Sequence, residues 1–112
     1  MKRFVLPAVA GVLWMGVAGA SFAAGSDAQL EKGKALFISD AVPACAVCHT
    51  LKDAGSTGTI GPDLDELKPD AARIKKVMQE GMGVMPSFAD SLDEASIDAI
   101  VAYVVHATGG GK

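Results

Sequence analysis

The chain has 112 residues, half of them hydrophobic, with 10 Lys and Arg against 13 Asp and Glu and a formal net charge of −3 at pH 7. An acidic balance without a basic stripe leaves nucleic acid no electrostatic footprint. A chain this small has a marginal core and gains from a staple, and the two cysteines, Cys45 and Cys48, are the only residues that could supply a covalent one.

The N-terminal segment differs from the rest. A basic start, Met1 to Arg3, is followed by an apolar run from Phe4 to Ala20 and by the small residues of "SFAA". That order predicts a secretory signal peptide over residues 1–23, cut between Ala23 and Ala24, and an exported domain over residues 24–112. Pro7, Gly11, Gly16 and Gly19 interrupt the run, which falls short of the roughly 20 strongly apolar residues of a spanning helix. Cleavage removes Lys2, Arg3 and Trp14, so the remaining domain is more acidic and has no tryptophan.

Three helices are expected in that domain. The first opens at Ser26, where "SDAQ" reads as a capping box. Leu30, Gly33, Lys34 and Phe37 then share a face, and the helix should fade near Ile38, before Pro43. The second begins at "KPD", with Pro69 in its first turn, carries Ile74, Val77 and Met78 as an apolar stripe, and ends at Gly81 and Gly83. The third starts at Ser91 through a second capping box, "SLDE", and buries Ile97, Ile100, Val101, Val104 and Val105 before "GGG" stops it. Between the first two lies "TLKDAGSTGTIGPDLDEL", a loop with one short helical turn at Asp63 to Leu67. No run alternates like a strand. The fold class is all-α, and so long a loop in so small a domain suggests that it wraps something.

The candidate for what it wraps is named by "CAVCH", Cys45 to His49. A disulfide across two residues would remove little unfolded-state entropy. A zinc site would need four ligands, and the other histidine, His106, is far along the chain. A thioredoxin-like dithiol would want a βαβ context that is missing. Haem accounts for the spacing. Cysteines at i and i+3 on a helical turn present both thiols to one side, where they can add to two vinyl groups, and the adjoining His49 is carried under the iron.

A second axial ligand is then required. Of the methionines beyond the leader, Met78 sits on the apolar stripe and reads as core, and Met82 sits between two glycines in a turn. Met85 precedes Pro86, which holds it extended on a loop that can be braced, so Met85 is the expected sixth ligand, with Met82 behind it. His106 reads as a packed or solvent-facing residue.

These residues resemble the small class I c-type cytochromes, over about Gln29 to Thr108. Gly33 and Phe37 are similar to the glycine and aromatic of that family's N-terminal helix, Cys45, Cys48 and His49 to its attachment motif, and "MPSF" from Met85 to its sixth-ligand loop. "IVAYVVHAT" resembles its C-terminal helix, which implies that Tyr103 meets Gly33 and Phe37. "GPDL" from Gly61 implies that the Pro62 carbonyl accepts the N–H of the proximal histidine, fixing the ring. The resemblance implies a cytochrome c fold, with three main helices and loops around one covalently bound haem c. The domain departs from the family in lacking a tryptophan for the haem propionates, with Arg73, Lys76, Tyr103 and Thr59 as possible substitutes, and in being acidic.

The function expected is a periplasmic carrier of single electrons, not an enzyme. Histidine and methionine fill both axial positions and raise the reduction potential. Its partners would be a dehydrogenase as donor and a cytochrome or terminal oxidase as acceptor, met in small transient complexes. "TIGPDL" and "GMGVMPSF" are similar to the exported cytochromes that accept electrons from bacterial sulfite dehydrogenases. Lys32, Lys34, Lys52, Lys75 and Lys76 could form a positive rim or simply be solvated. The competing readings are a haem enzyme or gas sensor with an open sixth position, and a colourless scaffold with a Cys45–Cys48 disulfide.

Overall fold

A computed structural model describes residues 25–110, together with Gly11 and Gly16. The expected leader, residues 1–23, otherwise lies outside the described residues. The order of elements is α1 (Asp27–Ala35), α2 (Cys45–Cys48), β1 (Thr50–Leu51), β2 (Ser56–Thr57), α3 (Leu64–Leu67), α4 (Ala71–Glu80) and α5 (Glu94–Thr108). No described helix is long and apolar enough to cross a membrane.

Helix α1 starts where the capping box places it. The Ser26 hydroxyl accepts from the Gln29 amide at 3.2 Å, satisfying one of the donors that every helix start leaves free. The helix passes into a wider π-type turn over Leu36–Asp40, which ends at Ala41. That turn carries Leu36 and Phe37 into the core.

The other two long helices begin slightly later than the sequence reading has them. Asp70 caps α4, its carboxylate accepting from the Arg73 amide at 2.8 Å, so Pro69 precedes the helix instead of standing in its first turn. Asp93, not Ser91, caps α5 by accepting from Ser96 at 2.8 Å. In both places a carboxylate two or one residues further on outcompetes the expected start, because it reaches the N3 amide and also faces the helix dipole. Gly81 ends α4 with φ +76°. The short turn expected at Asp63 to Leu67 is α3, capped by Asp63, which accepts from the amides of Asp65 and Glu66.

The packing centre is the crossing of α1 and α5. Gly33 lies directly on α5: a Cβ there would collide with the Ala99 carbonyl oxygen and stand 2.7 Å from the Tyr103 Cβ. Phe37 and Tyr103 continue the contact with ring centroids 5.9 Å apart and an interplanar angle of 66°, the edge-to-face arrangement that aromatic quadrupoles favour. Both rings are almost wholly buried. The Tyr103 hydroxyl donates to Asp53 at 2.6 Å, and Lys34 from α1 stands 3.4 Å from the same carboxylate. Helix α5 also packs against α4, with Ile97, Ile100 and Val104 in the core beside Met78 of α4.

A minimal two-stranded ladder pairs Thr50 with Thr57 and Leu51 with Ser56. The sequence reading has no strand here, since two-residue strands are too short to show alternation. Its effect is local: it folds the chain leaving α2 back on itself.

Candidate functional site

One apolar cleft of about 340 Å³ opens between the attachment turn, the following loop, α4 and the loop after it. Cys45, Cys48, His49, Pro62 and Met85, the five residues singled out as haem contacts, all line it, and so does Met82. The remaining walls are largely aliphatic, among them Leu64, Leu67, Ile74, Val77, Ile100 and Val104. The chemistry of that lining suits a flat, mostly apolar macrocycle with one polar centre. It offers two thiols for covalent attachment and nitrogen and thioether donors for an iron.

The attachment turn is a single helical turn, Cys45–Cys48, and the His49 amide closes it by donating to the Cys45 carbonyl at 2.9 Å. His49 itself is already extended, so its ring leaves the turn toward the cleft. The imidazole Nδ1 lies 2.8 Å from the Pro62 carbonyl oxygen. A carbonyl can only accept, so Nδ1 donates this bond, which leaves Nε2 as the ring nitrogen that could meet an iron. The loop that supplies this carbonyl is stitched to the turn. Gly61 N–H donates to the Cys48 carbonyl at 2.7 Å, and the Thr50 hydroxyl donates to the Gly58 carbonyl at 2.8 Å.

Burial pushes the Cys45 thiol up to about 11, with a smaller push from neighbouring Cys48. At neutral pH it is held as the neutral thiol, unlike the depressed thiolates of redox dithiols. The environment therefore argues against the thiol-exchange reading.

Met85 is placed by its loop. Met82 N–H donates to the Met85 carbonyl at 3.0 Å and Met85 N–H to the Met82 carbonyl at 2.9 Å, closing a tight turn through Gly83 at φ +57°. Beyond it, Phe88 N–H donates to the Met78 carbonyl at 2.7 Å and the Ser87 hydroxyl to the Gln79 carbonyl at 2.5 Å. The loop is thus closed on itself before Pro86 and fastened to the end of α4 after it. Met85 is half-buried, whereas Met82 is 64% exposed, which separates the two thioethers in the order the sequence reading gives them. Met78 is in the core, though it also reaches the cleft wall.

The propionate candidates divide. Arg73 lines the cleft, while Thr59, Lys76 and Tyr103 do not, and the Tyr103 hydroxyl is engaged by Asp53. None of the five lysines of the suggested rim lines the cleft either. Lys34 pairs with Asp53, and Lys75 pairs with Asp98 at 2.9 Å and Glu94 at 3.3 Å. The cleft lining is instead exposed and apolar at Ile60, Met82 and Val84. Gly61, read from sequence only as part of "GPDL", turns out to lie against the His49 ring. The one signal for it was a glycine preceding the proline that supplies the carbonyl.

Residues 28–104 match the family described as cytochrome C oxidase, cbb3-type, subunit III. The chain belongs to this family of c-type cytochromes. The cytochrome is 33% identical over 86 residues to the cbb3-type cytochrome c oxidase subunit FixP of Bradyrhizobium diazoefficiens, across 72% of its own chain. It is 33% identical over 94 residues to the subunit CcoP of an Azospirillum species, across 75% of its own chain. It spans only 28% and 30% of the length of those two relatives. By contrast, it covers 89% of cytochrome c6 of Bryopsis maxima, with 32% identity over 86 residues and 68% of its own chain. The crystal structure of the c-type cytochrome SorU from Sinorhizobium meliloti superposes with a TM-score of 0.72 and 40% identity, covering 78% of this cytochrome and 99% of SorU. The mostly helical fold with its small sheet is the cytochrome c fold, and membership in the family implies haem c as cofactor.

Proposed function

We propose that this cytochrome is a periplasmic one-electron carrier holding a single covalent haem c. Cys45 and Cys48 would tether it, with His49 and Met85 as the axial ligands and the Pro62 carbonyl fixing the imidazole. The observation that carries this reading is the meeting of two thiols, an Nδ1-protonated imidazole and a half-buried thioether in one apolar cleft. Bound haem c supplies reversible one-electron exchange at iron. The protein's share is to keep both axial donors in place in both oxidation states. Hydrogen bonds on each side of Met85 and at His49 limit how far either donor can move.

With both axial positions filled, small oxidants have no vacant site, which favours a carrier over an enzyme. Residues 1–23 would direct export and be removed before Ala24, leaving residues 24–112 as the working domain. For partners, we infer a periplasmic dehydrogenase as donor, of the sulfite-oxidising class whose exported cytochrome acceptors "TIGPDL" and "GMGVMPSF" resemble, and a cytochrome or terminal oxidase as acceptor. The full-length overlap with SorU supports a free-standing cytochrome of this kind.

Optical spectra of the purified exported protein, oxidised and reduced, test the reading against Met85→Ala. A low-spin c-type spectrum is expected, with the weak near-infrared band of methionine–iron ligation, and the variant should lose that band. A high-spin native spectrum with ready carbon monoxide binding would instead leave Met85 as packing and favour a haem enzyme or sensor.

A further inference from the structure

We infer that Gly61 is a positioning residue for the axial imidazole: by presenting no side chain to the ring of His49, it sets the strength of the His49–Pro62 hydrogen bond and through it the reduction potential. This rests on the carrier reading, with His49 as an iron ligand. A Cβ at position 61 would stand 2.5 Å from the His49 Cε1, 2.8 Å from Nδ1 and 3.0 Å from Nε2. All three nearest atoms belong to one imidazole, so the glycine backbone lies against the ring itself.

Which of the two would yield is decided by how each is held. The loop is clamped through Gly61 N–H to the Cys48 carbonyl and through the Thr50 hydroxyl to the Gly58 carbonyl. It lies as close at position 58, where a Cβ would meet the Cys48 carbonyl carbon at 2.6 Å and the His49 amide nitrogen at 2.8 Å. Two glycines in four residues therefore let this loop lie against the attachment turn, and the two hydrogen bonds hold it there. The imidazole is the end of a rotatable side chain and is the softer partner. A methyl group at position 61 turns the ring away from the Pro62 carbonyl and lengthens the 2.8 Å bond. A donor N–H engaged by a carbonyl makes the imidazole a better electron donor and favours ferric iron. Loosening that bond moves the potential upward.

Gly61→Ala, compared with Gly33→Ala, separates this role from a merely structural one. Both substitutions introduce a Cβ into a close contact, and both should lower Tm. Only Gly61→Ala should shift the reduction potential to more positive values and speed exchange of the His49 Nδ1 proton with D₂O by about tenfold or more, the loss of roughly one net hydrogen bond. A lowered Tm with unchanged potential and exchange in Gly61→Ala overturns the inference. A wild-type protein without low-spin His/Met spectra overturns the carrier reading instead. Should Gly61→Ala fail to take up haem, NMR of the loaded wild-type protein decides. A nuclear Overhauser contact between the Gly61 α-protons and the imidazole, with a slowly exchanging Nδ1 proton, supports it. A freely exchanging Nδ1 proton rejects it.

Discussion

The crossing of α1 and α5 and the cleft lined by Met85 are held in opposite ways. At the crossing, Gly33 meets the Ala99 carbonyl, Phe37 meets Tyr103, and the polypeptide supplies both halves of every contact. At the cleft, apolar walls from the attachment turn, the loop after it, α3, α4, the Met85 loop and one face of α5 surround a space, and the backbone hydrogen bonds of the two loops fix its edges rather than fill it. One region can close on itself. The other is complete only with a guest, so the same chain combines a self-sufficient half with a dependent one.

The largest test of that contrast removes the tether. The cleft of about 340 Å³ is walled mostly by aliphatic side chains, and without a guest those walls would face water instead of apolar surface. A small domain has only about 5–15 kcal/mol of stability to set against that loss. The Cys45→Ser, Cys48→Ser double variant, which removes both proposed attachment thiols, should therefore lose most of its cooperative thermal transition by circular dichroism. Such residual amide protection as remains in hydrogen exchange should sit in α1 and α5. Equal protection in α4 would contradict the division into two halves.

A smaller effect is expected from breaking the self-sufficient half. Phe37→Ala leaves a hole beside Tyr103 and should cost about 3–5 kcal/mol of unfolding free energy in denaturant titration. The haem spectrum and potential should be nearly unchanged, because Phe37 does not line the cleft. A large shift in potential would show that the two regions are coupled.

The smallest effect concerns the latch beside the crossing. The hydrogen bond from Tyr103, and less strongly the Lys34 charge, hold the Asp53 carboxyl below its ordinary value of 3.8. A depressed folded-state value means that the unfolded chain binds more protons in this range. Stability from this group is thus present above about pH 4 and is lost as the pH falls further. The carboxylate is exposed, so Asp53→Asn should cost only about 1 kcal/mol at pH 7 and flatten the acid limb of a stability–pH curve. An unchanged acid limb would show that the latch contributes nothing.

Patterns with a fixed chemical signature were legible in the sequence, and contacts between distant segments were not. Ser26, Gly81 and the stripe of α5 could be read because caps and periodicity act within one or two turns. The candidate site was legible as a set, since Cys45, Cys48 and His49 adjoin and Met85 is marked by Pro86. The start of α5 was displaced because Ser91 and Asp93 could each cap and only three-dimensional reach distinguishes them, and that of α4 because Asp70, just after Pro69, takes the cap. Tyr103 was assigned its ring contacts correctly through the family resemblance, but its hydroxyl partner, Asp53, lies 50 residues away. Gly61 against His49 is of the same kind: no local pattern says that an imidazole will lie over a glycine 12 positions on.

The stitching of the loop after His49 has an entropic consequence. The His49–Pro62 bond and the bond from the Lys52 amide to Asp65 each close 13 residues of chain, and the equally long link from Gly61 to Cys48 and the shorter one from Thr50 to Gly58 overlap them. Closing one such loop from a disordered chain carries a length-dependent cost of about 2 kcal/mol. The closures overlap, so whichever forms first brings the ends of the others within reach at little added cost. The segment from His49 to Asp65 should therefore order and disorder as one unit, with the ring on Pro62 as one of several fasteners that open together.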